Sequence, residues 1–289
     1  MAYRGHKINP QRFEKSQLKI IAMILPIVFV MGLPIVFIFC HAFKPMEELF
    51  AYPPQFFVYN PTFENFTKLF KASRTAGIPM SRYAFNSILI TASVVAASLL
   101  LTTMAAFALS KLRFKGKGML MQINQTALMF VSVAVMIPRY LTVNVLGLTD
   151  TYLAHILPLV ALPVALFLVK QFVDQVPDSL IEAAYIDGAS DWHVYVRIIV
   201  PMIKPAIATA AILVFQQVWG NMETSNYYVN DEGLKTLTFY MNTLANANNT
   251  VAGQGMAAAA ALIMFVPNLV LFIILQNNVM NTMAHSGIK

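Results

Sequence analysis

Six apolar stretches dominate this chain, at approximately 18–43, 84–110, 119–138, 152–173, 200–221 and 257–279. At 1.5 Å rise per residue, each is long enough to cross about 30 Å of hydrocarbon as a helix. A soluble core from 289 residues, 58% hydrophobic and only 11% charged, cannot hide so many such runs. In lipid the backbone must satisfy its own hydrogen bonds, so helix is the default for every run. The expected fold class is therefore an all-α integral membrane protein with six transmembrane helices, forming one domain over 1–289.

Charge orients the runs. Arg4, Lys7, Arg12, Lys15 and Lys19 surround the start of the first run, and "KLRFKGKG" places four cations after the second. The link after the fourth run carries Lys170, Arg197 and Lys204, while Arg139 and Lys235 are the single cations of the third and fifth links. Short loops rich in Lys and Arg stay cytoplasmic. Both termini, the second link and the fourth link are thus expected inside. The first link disagrees, with Lys44, Lys68, Lys71, Arg74 and Arg82 on the outside. It is longer than the others, and longer segments translocate with less regard to charge. Its Thr62 is expected to cap a short surface helix. The first run is too long for a signal-peptide core and has no small-residue cleavage site after it, so it is expected to be retained.

This placement also explains the formal charge of +7 without nucleic acid, since the cations flank apolar spans. One cysteine, Cys40, allows no disulfide framework and no Cys cluster. His155 and His193 lack partners at ligand spacing, so no metal site is expected.

The stretch "VPDSLIEAAYIDGASDWHVYVRIIVP" breaks the apolar pattern. Asp174, Asp178, Glu182, Asp187 and Asp191 are five of the thirteen acids, all within eighteen residues. Pro177 stops the preceding helix, and Ser179 with Glu182 has the spacing of a capping box. A short helix to about Asp187 follows. Gly188 suits the left-handed residue that ends it, and Ser190 can cap a second helix leading to Pro201. The result is two helices joined at a glycine elbow, within a loop of about 174–200. Ala183, Ala184 and Gly188 leave the elbow little side chain, so another backbone can come close. The plainer alternative is a local one: Glu182 caps its own helix and the alanines only favour helix.

"EAAYIDGASDWHVYVRIIVP" resembles the EAA loop of ABC-importer permeases: Glu-Ala-Ala, three residues, Gly, nine residues, then Ile-x-Leu-Pro. Here these are Glu182, Ala183, Ala184, Gly188, Ile198 and Pro201, with Val200 where Leu is usual. The resemblance extends through "PTFENFTKLF", "NSILITASVVAASLLLTTMAAFALSKLRFKGKG" and "LGLTDTYLAHILP" to carbohydrate-uptake permeases, including the second maltose permease subunit and Gram-positive polysaccharide permeases. It implies the type I ABC importer fold in a bacterial plasma membrane, importing oligosaccharides or polysaccharide fragments. It implies a coupling helix in which Glu182, Ala183, Ala184, Asp187 and Gly188 meet an ATPase subunit. The implied partners are a second permease subunit forming a heterodimer, two ATPase subunits and an extracytoplasmic solute-binding protein, beside membrane lipid. The chain carries no GxxxxGK[ST] loop, so ATP and Mg are expected on the ATPase partners, with no cofactor in this chain and no enzyme activity of its own. The tail "MNTMAHSGIK" resembles the tail of that subunit class, so His285 to Lys289 is expected to touch the ATPase pair.

Polar groups inside apolar runs should face the bundle or a pathway. Gln216, Gln217, Trp219 and Asn221 near the end of the fifth run offer the amides and aromatic face that sugars use, and Asn124 joins them from the third. Helix packing is the alternative for Trp219 and interhelical bonding for Asn124. "VWGNMETSNYY" has Gly220-Asn221 where the resembled family frequently has Trp-Asn-Asp/Glu. An ABC permease for polyamine or peptide cargo is a second reading. An ion-coupled secondary transporter is a third, and would call for an ionisable residue inside a span. The interiors of the six runs offer no convincing one, with Glu223 at an end.

Overall fold

A computed structural model of the chain describes residues 17–75, 77–247 and 251–286, with the side chains of 17, 72–75, 246–247, 251–252 and 277–286 apart. Among these, every regular element is helical. In chain order the principal helices are α1 (Gln17–Phe43), α2 (Glu64–Thr75), α3 (Met80–Lys111), α4 (Lys117–Met129), α5 (Ser132–Val145), α6 (Tyr152–Val160) and α7 (Pro163–Asp174). There follow α8 (Asp178–Ile186), α9 (Asp191–Met202), α10 (Lys204–Trp219), α11 (Leu237–Ala247) and α12 (Val251–Ser286). The basic residues Arg4, Lys7, Arg12 and Lys15 and the tail beyond Ser286 lie outside the described residues, as does the side chain of His285.

Three helices are long and apolar enough to cross a membrane unaided, Leu18–Phe43, Met80–Lys111 and Gly253–Gln276. Three further spans arise only if bent pairs count as one each: α4 with α5 at 116°, α6 with α7 at 44°, and α9 with α10 at 80°. The expected single helix over 119–138 is thus corrected. Phe130 and Val131 are both extended, with ψ of 132° and 135°. A hydropathy average does not register a two-residue joint built from apolar residues. The 44° bend has a local cause. Leu162 precedes Pro163, whose ring pushes it out of the helical region to ψ 102°. Pro201 and Pro205 flank the third bend at Ile203, so the helix that follows it begins at Lys204 rather than 200.

The chain divides into two compact units, one of residues 1–71 with 244–262 and one of 72–243 with 263–289. In the first, Ala42, Ala258 and Ala259 pack with Phe43, Phe66 and Leu262. Small residues let helices approach closely where lipid gives no hydrophobic drive. Asn65 is buried beside them, and its Nδ2 donates to the carbonyls of Ala42 (3.1 Å) and Lys44 (2.8 Å), which α1 leaves open at its end. Lys44 is itself buried and donates to the Gln55 carbonyl, while Lys68 pairs with Glu64 at 2.7 Å. Two of the cations that disturbed the charge count are therefore held by the protein. Thr62 does not cap α2, which starts at Glu64. Its backbone N–H donates to the Phe43 carbonyl at 2.8 Å, and its buried hydroxyl has no partner among the described residues.

The second unit is organised on α3. Its buried face presents Ile90, Val94, Ala106 and Phe107 to Val169 and Val173 of α7 and to Ala206, Ala210 and Val214 of α10. Ser87, Thr91, Ser98, Thr102 and Thr103 are buried along the same helix. Thr103 Oγ1 bonds the Tyr195 hydroxyl at 2.8 Å, joining the span to a π-helical turn over Tyr195–Ile199 inside α9.

Candidate functional site

The charged elbow forms much as its residues dictate. Pro177, with φ −60°, takes the N-cap of α8 and no side chain caps it. The expected Ser179–Glu182 capping box is corrected on this point: the proline's fixed φ starts the helix at Asp178, so Ser179 already lies inside the first turn. Asp187 closes the helix, and Gly188 follows at φ +82°, with nothing within 4 Å of where a Cβ would stand. Ser190 then caps α9, its Oγ accepting from the His193 N–H at 3.3 Å. Glu182, Ala183, Asp187 and Gly188 are exposed, whereas Ala184 is half-buried against the core below. Ala184, Gly188, His193 and Arg197 line an open hollow of about 480 Å³. Tyr185 of α8 donates to Asp191 of α9 at 2.8 Å. Burial, then that carboxylate, push its phenol above the ordinary range.

Lys111, at the end of α3, holds the elbow from behind. Its Nζ donates to the Val176 carbonyl and to Asp178 Oδ1, both at 2.6 Å. Asp174 accepts from Lys170 at 2.7 Å and from the Ser110 hydroxyl. The sequence reading counted these cations only for topology. Asp178 lies 67 residues from Lys111, and no local pattern reveals that pairing, whereas Asp174 is only four residues from Lys170 and 64 from the Ser110 hydroxyl it also receives.

A second constellation lies where two of the bent spans come together. A cavity of about 400 Å³ is lined by Phe130 and Ser132 at the α4–α5 joint, by Pro158 and Pro163 around the α6–α7 joint, and by Arg139 and Gln217. Irregular backbone at membrane depth is tolerated where protein buries it or where it lines a polar cavity. Arg139 Nη1 donates to both carboxylate oxygens of Glu223, at 2.9 and 3.1 Å, and the Tyr228 hydroxyl donates to Oε1 at 2.6 Å. Beside this pair, His155 is buried in α6, its Nδ1 2.7 Å from the Thr224 hydroxyl. Arg139 and Glu223 stand just past the ends of their runs, while His155 is buried within the fourth. Arg139 follows Pro138 at the end of a run and reads as a loop cation until α5 carries it inward.

Of the residues expected along a pathway, Gln217 reaches this cavity and Gln216 is exposed. Trp219 is 8% exposed, stacks on Phe215 and donates through Nε1 to the Met264 carbonyl at 3.1 Å. Asn221 accepts from the Thr224 N–H and hydroxyl at 3.1 and 3.0 Å. Asn124 donates to the Pro163 carbonyl at 3.3 Å. Among the described residues, no three His, Cys, Asp or Glu side chains converge in a way that could hold a metal ion.

A family model described as the inner membrane component of binding-protein-dependent transport systems matches residues 17–279. The chain belongs to that family. This permease is 30% identical over 212 residues to the probable ABC transporter permease protein YurM of Bacillus subtilis, covering 73% of this chain and 70% of the relative. It is 30% identical over 234 residues to the galactooligosaccharides transport system permease protein GanQ of the same organism, covering 80% and 81%. Among solved structures, it superposes on a chain of a bacterial ABC transporter involved in import of the acidic polysaccharide alginate, with a TM-score of 0.73 at 20% identity, over 92% of this chain and 98% of that one. The fold is that of an ABC-importer permease, and the protein is a multi-pass membrane component of a binding-protein-dependent transporter.

Proposed function

We propose that this permease forms half of the pathway of an ATP-driven importer for oligosaccharides or polysaccharide fragments, coupled to ATPase subunits through the α8–α9 elbow. Glu182, Ala183, Asp187 and Gly188 meet the ATPase, and Ala184 forms the floor of the hollow that receives it. The observation that carries this reading is the elbow itself: a positive-φ glycine with open space over it, flanked by exposed carboxylates and tied to the bundle by Lys111. A surface of that kind admits a partner's backbone and rewards a basic groove. Sugar cargo is supported by the relative named for galactooligosaccharides and by amide, guanidinium and aromatic groups around one cavity. Gln217 faces that cavity and Gln216 flanks it. Trp219, Asn221 and Asn124 support its surroundings, because their polar atoms are already bonded to the protein.

In this reading 1–289 acts as one permease domain in a bacterial plasma membrane with both termini cytoplasmic. It pairs with a second permease subunit and two ATPase subunits, which hold the ATP and Mg. An extracytoplasmic binding protein delivers the cargo, and the tail His285 to Lys289 touches the ATPase pair. This chain holds no cofactor and hydrolyses no ATP. ATPase co-purification, sugar-stimulated hydrolysis and uptake in proteoliposomes test it with Gly188→Asp and Glu182→Lys. Asp at 188 brings an unpaired charge into the contact, which costs several kcal/mol to desolvate and lowers docking by orders of magnitude. Variants that reach the membrane, keep the ATPase bound and transport normally overturn the coupling role. Uptake confined to polyamines or peptides in a sugar panel experiment overturns the cargo.

A further inference from the structure

We propose that the loop between α1 and α2 is a membrane-interface anchor, seated through Phe57 and Phe63 in the lipid leaflet that α1 reaches at its C-terminal end. The partner is the bilayer surface itself. The inference goes beyond the transport reading and needs neither cargo nor ATPase.

Three observations converge. The first sets composition against exposure. Residues 50–63, "FAYPPQFFVYNPTF", carry no charged side chain, and six of the fourteen are Phe or Tyr. Phe50, Tyr52, Phe57, Tyr59 and Phe63 are all exposed. Burial of such rings is favourable, and this loop leaves them on its outside. Tyr in particular suits the membrane–water boundary, where its ring is covered and its hydroxyl stays wet.

The second is that the loop is held in shape. Lys44, buried just past the end of α1, donates to the Gln55 carbonyl, and the Thr62 N–H donates to the Phe43 carbonyl at 2.8 Å. Glu48, in the short helix Met46–Leu49, accepts from the N–H groups of Tyr59 and Asn60 at 3.0 and 2.7 Å. The rings are thus displayed by a pinned backbone.

The third is depth. The Phe56 ring lies 5.7 Å from that of Phe37, and the Phe57 ring meets Phe56 edgewise at 5.1 Å. Phe37 stands six residues before the end of α1 at Phe43, about 9 Å back along the helix axis. The loop therefore folds back beside the span instead of rising away from it. A second aromatic row runs from Phe39 through Phe43 to Phe63, with centroids 5.0 and 5.3 Å apart. Both rows extend the outward surface of the apolar stretch Leu18–Phe43, so the lipid that covers the end of that stretch covers them too. Interfacial segments bury their apolar face about 5–10 Å into the boundary of headgroups and acyl chains, which matches this reach. A partner protein would find no charge to pair with on residues 50–63, and lipid requires none. Tyr59, held from Glu48, stands at the level of the short helix and stays within reach of water-borne reagents.

The test uses the complete importer in phospholipid nanodiscs, with cysteine-free partner subunits and a Cys40→Ala background. A nitroxide is attached at Phe57→Cys or at Glu47→Cys, and its relaxation is measured with oxygen, which concentrates in lipid, and with a water-soluble nickel chelate. The oxygen-to-nickel ratio should be at least about fivefold higher at 57 than at 47, and adding the binding protein should not change it. Phe56→Ala should lower the ratio at 57 by about twofold or more, since Phe56 holds that position against Phe37. Equal ratios at 57 and 47 place the loop in water and overturn the anchor. Loss of access to both reagents at 57, or a fall in its ratio on adding the binding protein, shows that protein covers the face and overturns lipid as its occupant. An unchanged ratio in Phe56→Ala overturns the part given to the Phe37 contact. Nanodiscs expose both leaflets, so these outcomes are independent of orientation and transport, and failure of the transport reading leaves them standing.

Discussion

Arg139 and Glu223 stand 84 residues apart and meet through Nη1 at 2.9 Å, joining α5 to the short helix Glu223–Tyr227. The pair ties the broken third span to the end of the fifth. Because each group is mostly removed from water, removing one strands the other in a poorly solvating place. Arg139→Gln or Glu223→Gln alone should destabilise by about 2–3 kcal/mol, toward the low end for a buried pair because both remain partly exposed. The double variant should recover much of that loss. Thermal unfolding of the purified complex checks it, and additive losses would remove the coupling.

Lys111 is expected to matter more to the elbow than its visible ion pair suggests. Asp178 is 75% exposed, so that pair contributes little by itself. The Lys111 side chain is 8% exposed, and its ammonium also holds the Val176 carbonyl at the start of the elbow. Lys111→Met should lower stability by about 1–2 kcal/mol and reduce sugar-stimulated ATP hydrolysis, whereas Asp178→Asn should lower it by less than about 1 kcal/mol. Equal effects would show that the ion pair, not the carbonyl, is what counts.

Gly255 admits no side chain. A Cβ there would stand 2.6 Å from Asn65 Oδ1, and Asn65 holds the carbonyls of Ala42 and Lys44. Gly255→Ala should therefore cost about 1–3 kcal/mol by displacing a buried amide from its partners. Asn65→Ala should cost a similar amount, and the double variant little more than either. A double-mutant cycle in chemical denaturation measures this, and strict additivity would refute the contact.

Asp150 clamps two links. Its carboxylate accepts from the backbone N–H groups of Asn230 and Asp231, which hold its carboxyl below the usual aspartate range. A depressed folded pKa stabilises above the ordinary value, and that contribution is lost as pH falls through the folded one. The clamp should be intact near neutral pH and open progressively below about pH 4. Amide-exchange protection at residues 230 and 231 reads this directly. Asp150→Asn should lower protection at neutral pH, and a pH-independent wild-type profile would refute the clamp.

The topology is checked by single-cysteine labelling in a Cys40→Ala background. A cysteine at position 59, where Tyr59 is 70% exposed, should react with an impermeant maleimide from outside, and one at position 115 should not. Labelling at 115 from outside would invert the orientation.

What the sequence alone determined was everything that depends on near neighbours. Apolar runs longer than a bilayer forced helices, because lipid offers the backbone no other partner. Pro177, Gly188 and Ser190 dictated the elbow, because a fixed φ, a permitted positive φ and a capping hydroxyl act within four residues. The tertiary structure alone decided the rest. The joint at Phe130–Val131 is invisible to hydropathy because its residues are as apolar as those around it. Arg139 became an inward group only when α5 turned by 116° and met Glu223. Lys111 acquired its role from carbonyl and carboxylate groups 65 and 67 residues onward. Trp219, polar enough to suggest a sugar contact, bonds instead to Met264. Where a side chain finds its partner through packing rather than spacing, only the folded arrangement says whether it faces cargo or its own bundle.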